Sequence, residues 1–75
     1  MTSVKLELSS DEALVLHAWI TRFNKRRSND FEDQAEQRVL WNVESLLEKS
    51  LVEPFLEEYD SLLARARDRV RDSSM

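Results

Sequence analysis

The chain has 75 residues, 41% hydrophobic and 35% charged, which is enough for one small folded domain and too little for two. It has no cysteine and no glycine, one proline and one histidine, which excludes disulfides, thiolate metal sites, glycine-cradled phosphate loops and an all-β fold built on tight hairpins. The net charge of −4 and a pI near 4.9 weigh against non-specific nucleic-acid binding and against a basic membrane-surface helix.

A chain this short buries about 60% of its unfolded surface, so its core is marginal. Without disulfides or a thiolate metal site, oligomerisation is the common support that remains. No apolar run approaches the roughly 20 residues of a membrane span. The start, MTSVKLELSS, lacks a signal-peptide core. The expectation is a soluble, cytoplasmic protein.

Val4 to Leu8 reads V-K-L-E-L. Val4, Leu6 and Leu8 alternate with Lys5 and Glu7, the period of a half-buried strand. Such a strand needs a mate, either Leu51 to Phe55 of the same chain or a second chain. Ser9 with Glu12 forms a capping box, and Leu8 with Ala13 a weak staple. A first helix follows from about Ser10 to Lys25 or Arg26. Leu16, Ile20 and Phe23 form its main stripe, flanked by Ala13 and Trp19, with Leu14, Val15 and Ala18 on a second side. Apolar over so much of its circumference, it is predicted to be central, with Trp19 in the core. His17 sits at the edge of that surface as a structural residue. With no second His and no Cys, no metal site is expected. Arg22, Lys25, Arg26 and Arg27 complement the dipole at the helix end.

Ser28 to Asp30 is read as a loop, with Asn29 or Asp30 capping a second helix from Phe31 or Glu32 to Lys49. The spacing Asp30, Glu32, Gln34, Glu36 lacks the glycine and terminal bidentate Glu of a calcium loop. On a wheel of about 100° per residue, Ala35, Val39, Leu40, Val43, Leu46 and Leu47 share a sector of roughly 140°. Glu36 falls inside that sector, read as a first-turn charge near water, with a buried carboxylate paired to an Arg or to His17 as the alternative. Trp41 falls opposite, among Gln37, Glu44 and Glu48, and Glu44 and Glu48 are read as solvated. Trp41 is either a lone exposed aromatic, one covered by a terminal segment of its own chain, or a residue of an intermolecular contact. Pro54 stops this helix. Phe55, Leu56, Tyr59, Leu62, Leu63, Ala66 and Val70 then share one face of a third helix, from about Glu57, or as early as Pro54, to about Arg71. Asp72 to Met75 is expected to fray. Arg65, Arg67, Arg69 and Arg71 splay around this helix and make no single basic stripe.

No nucleophile elbow, dinucleotide fingerprint, Walker loop or RNA-binding pattern is present. The run F-E-D-Q-A-E-Q-R-V-L-W-N-V-E-S-L-L-E-K, followed by Leu51-Val52-Glu53-Pro54-Phe55, resembles short hypothetical bacterial proteins of unassigned function. That resemblance spans helix 1 through helix 3. It implies a stand-alone domain and brings no activity, ligand or catalytic residue.

The chain is thus expected to be one mainly α domain over residues 1–75. It would be a small three-helix bundle with a short N-terminal β-segment, packed around Leu16, Ile20, Phe23, Leu40, Val43, Leu47, Leu62, Leu63 and Val70. The functional expectation is a non-enzymatic interaction module without catalytic residue, cofactor, metal or small-molecule substrate. It self-associates as a homodimer through Trp41, Gln37, Glu44 and Glu48 or through the N-terminal strand. One alternative is an acidic regulatory or immunity-like partner that masks a basic surface. A DNA-binding domain using Arg22 to Arg27 and Arg65 to Arg71 comes third.

Overall fold

The computed structural model describes residues 2–26 and 31–73. Three α-helices dominate: α1 (Ser10–Lys25), α2 (Gln34–Ser50) and α3 (Tyr59–Ser73), with a 3-10 turn over Glu53–Phe55 before α3. The helices pack as a small helical bundle, as the apolar periodicities predict.

The N-terminal β-segment does not form. No strand occurs among the described residues, and Thr2–Ser9 is irregular. A strand needs a neighbour to satisfy its backbone groups. The considered mate is committed elsewhere: Leu51 closes α2 and Glu53–Phe55 forms the 3-10 turn. Val4 and Leu6 are left 87% and 84% exposed.

The helix starts follow local chemistry. Ser9 Oγ accepts the Glu12 N–H at 3.0 Å, and Glu12 Oε1 accepts the Ser9 N–H at 2.9 Å. This is the predicted capping box, and α1 covers the predicted span. Helix α2 begins later than predicted. Its cap is Asp33, whose Oδ1 accepts the Ala35 N–H at 2.7 Å, while Asn29 and Asp30 lie outside the described residues. Pro54 enters the first turn of the 3-10 segment, so α3 starts only at Tyr59, and it continues to Ser73. With no glycine available, α1 and α2 end on extended residues, Arg26 and Leu51, and no described residue has a positive φ.

Helix α1 is central, with α2 on one side and α3 on the other. The buried core lies on the second side of α1, not on its predicted main stripe. It joins Leu14 and Ala18 of α1 to Leu63 and Ala66 of α3 and to Leu51. Two alanines, Ala18 and Ala66, are almost fully buried. Small side chains at a helix contact shorten the distance between axes, and this selects the Leu14–Ala18 side. Ile20 is buried as predicted. Leu16, Phe23, Leu40, Val43, Leu47, Leu62 and Val70, all expected in the core, are only partly buried. Trp19, also predicted as core, is exposed at 44%. Across the α1–α3 contact, Arg69 Nε and Nη2 donate to the two Asp11 carboxylate oxygens at 2.8 Å each.

The unpacked arm and incompletely covered α2 leave the molecule open. Its Cα radius of gyration is 13.7 Å, where a compact chain of this length has about 11 Å.

Candidate functional site

Helix α2 meets α1 through polar groups. Residues 17, 21 and 24 recur at one-turn spacing on α1 and face α2. Thr21 Oγ1 donates to Glu44 Oε2 at 2.9 Å, and Asn24 Nδ2 donates to Glu44 Oε1 at 2.8 Å. His17, only 4% exposed, places Nε2 at 3.3 Å from Glu48 Oε2. Glu44 is therefore half-buried in the seam with α1 and not solvated as predicted, while Glu48, one turn on, stays exposed on its rim as predicted, within reach of His17. The residues that a wheel placed outward are held by donors on α1, and His17 is an interior residue. The buried Nδ1 of His17 and Oδ1 of Asn24 have no hydrogen-bond partner.

Ligand atoms of His17, Glu44 and Glu48 lie within 4.8 Å of one another. One imidazole and two carboxylates are an acceptable donor set for a first-row divalent ion. Both Glu44 oxygens are already engaged by Thr21 and Asn24, and His17 Nε2 is within reach of Glu48. Mutual hydrogen bonding thus accounts for the cluster as a clamp between two helices. Among the sequence-predicted site residues, Gln37 and Glu44 are half-buried, Glu48 lies on the rim of the seam and Trp41 is exposed.

The seam leaves the opposite side of α2 uncovered. No α2 residue is buried. Ala35 is exposed, Val39 is 59% and Leu46 53% exposed, and Trp41 is 50% exposed on another flank. Beside this face, an open groove of about 460 Å³ is lined by Phe23, Phe31, Ala35, Glu36, Val39 and Leu40. Its aromatic wall is Phe23 and Phe31, which meet edge-on at 5.3 Å between ring centroids, and Trp19 stacks on Phe23 at 5.0 Å from outside the lining. Glu36 also lines it, and its Oε1 accepts the Glu32 N–H at 2.8 Å. The predicted inward sector of α2 is therefore partly a surface.

Sequence reasoning missed the groove because it assigned its apolar residues to a closed core. The donor series His17, Thr21, Asn24 was the available signal for the seam. Three polar groups on one side of a helix otherwise rich in apolar residues require partners from another element.

No helix among the described residues is long and apolar enough to cross a membrane. Comparison with protein-family models, curated proteins and solved structures finds no match.

Proposed function

We propose that this protein is a non-enzymatic interaction module that self-associates as a homodimer through the apolar side of α2. The observation that carries this reading is the uncovered face of Ala35, Val39 and Leu46, continuous with an apolar groove whose lining includes Ala35 and Val39. An amphipathic helix owes most of its stability to burying its apolar face, and α2 buries no residue within its own chain. A second copy carries the same unfilled face, and a twofold contact lets one patch cover itself. Trp41 is also exposed, but it lies on the other side of α2 from Ala35, Val39 and Leu46 and outside this contact.

Sedimentation equilibrium of the full chain across micromolar concentrations tests the reading. The expected result is a reversible monomer–dimer equilibrium. A monomer at all concentrations contradicts it.

A further inference from the structure

We infer that His17, Glu44 and Glu48 form a binding site for one first-row divalent cation of the zinc class, held across the seam between α1 and α2. The site lies within one chain and does not depend on self-association.

The donor set fits by type, charge and size. A neutral imidazole and two ionised carboxylates balance the charge of a divalent ion. Imidazole suits zinc and its first-row neighbours, whereas calcium and magnesium take oxygen ligands. Zinc binds nitrogen and oxygen at about 2.0–2.2 Å, so two ligand atoms on a tetrahedron lie about 3.3–3.5 Å apart. His17 Nε2 and Glu48 Oε2 are 3.3 Å apart. That separation matches the tetrahedral edge and is long for an N–H···O hydrogen bond, which centres on about 2.9–3.0 Å. The ligand atoms of all three residues lie within 4.8 Å of one another, so no pair has to close by more than about 1.5 Å to reach that edge.

The surroundings supply what carboxylates alone lack. His17 is 4% exposed, its ring reaches the cluster through Nε2, and its buried Nδ1 has no partner. No bond at Nδ1 fixes the tautomer, so the form that offers the Nε2 lone pair gives up only the long contact to Glu48. Glu44 is oriented from behind, because Thr21 Oγ1 and Asn24 Nδ2 donate to its two oxygens. A carboxylate oxygen has two lone pairs, so each keeps one for a metal, and such donors orient a ligating carboxylate. Asn24 Oδ1 is also buried without a partner. Two side chains that build the seam thus keep an unsatisfied buried atom, the condition under which an ion or ordered water completes a site. The Glu48 side chain is 46% exposed, which gives the ion an entry path and leaves the remaining position to water.

Glu44 and Glu48 stand one turn apart on α2, where like charges repel, and a cation between them removes that repulsion. Helix α2 buries no residue within its own chain, so an ion that ties two of its side chains to α1 fastens it. The lack of a second His and of Cys spoke against a metal site in the sequence, but the two carboxylates arrive from another helix.

Calorimetric titration of the untagged full chain with zinc chloride tests the site. The expected result is one ion per chain with a micromolar dissociation constant. The melting temperature should rise by about 10–20 °C at a free zinc concentration about 100 times that constant. Glu48→Gln and His17→Gln should each weaken binding at least about tenfold, whereas Glu57→Gln, an exposed carboxylate before α3, should leave it within about twofold. His17→Gln also disturbs packing, so Glu48→Gln on the rim, with its helicity checked by circular dichroism, carries the decision. A parent chain that binds no zinc below millimolar concentration, or a folded Glu48→Gln variant that binds as tightly as the parent, overturns the site.

Discussion

The seam between α1 and α2 rests on Glu44, and Glu44→Ala is the substitution that isolates it. Both carboxylate oxygens accept side-chain hydrogen bonds from α1, at 2.9 Å from Thr21 and 2.8 Å from Asn24. Hydrogen bonds to a charged group contribute about 1.5–3 kcal/mol each when enclosed. Glu44 is half-buried, and water can replace part of what is lost, so about 2 kcal/mol for the pair is the scale to expect. A domain of this length has an unfolding entropy that converts each kcal/mol to about 6 °C, so the melting temperature should fall by about 12 °C. Thermal unfolding followed by circular dichroism, at a concentration where the chain is monomeric, gives the number. A Thr21→Val substitution should cost about 1 kcal/mol in the parent and almost nothing after Glu44→Ala, which is the coupling expected of a direct pair. If Glu44→Ala melts within about 2 °C of the parent, the carboxylate does not hold α2, and the seam must be reassigned.

Other consequences follow from the same geometry. Ala66 is fully buried in the core cluster that α1 and α3 share with Ala18, so Ala66→Leu should overpack it and cost about 1–3 kcal/mol in urea unfolding. A neutral effect would mean that the two helices are not closely apposed. At the other end of this interface, the hydrogen bond from Arg69 holds the Asp11 carboxyl below the usual carboxylate range, with the opposite charge adding to it against a desolvation that opposes both. A folded-state pKa below the unfolded value contributes stability that is complete above the ordinary carboxylate range. That contribution is lost as pH falls through the folded-state value. Asp11→Asn should therefore lower stability at neutral and alkaline pH, converge with the parent at low pH, and so flatten the acid limb of the profile; an unaltered acid limb would show that the pair contributes nothing.

The sequence disclosed what local chemistry controls. Ser9 and Glu12 set the start of α1, the lack of glycine required helix ends without left-handed residues, and Pro54 kept α2 from running into α3. These rules act within a few residues, so they can be read without knowing the neighbours. The choice among faces was not legible in the same way. Helix α1 offers apolar residues on two sides, and Ala18 won through its small size against Ala66, a fact about a pair of helices. Glu44 was misread because a wheel sends charge to water, whereas Thr21 and Asn24 supply partners from another element. The β-pattern of Val4 to Leu8 shows which side chains share a side of an extended segment, but it cannot provide the neighbouring strand. The same error placed Val39 and Leu46 inside: periodicity identifies a face that needs covering and not the molecule that covers it.

The most direct test of that face is sedimentation equilibrium of Val39→Ser/Leu46→Ser beside the parent. With these side chains 59% and 53% exposed, full burial in a dimer would add about 1 kcal/mol for each valine and somewhat more for each leucine, or about 5 kcal/mol over the four side chains. The double variant should therefore weaken the dimer by about 1,000-fold or more, while the monomer, in which both positions face water, keeps its melting temperature. A dimer of unchanged affinity in the double variant would contradict self-association through α2.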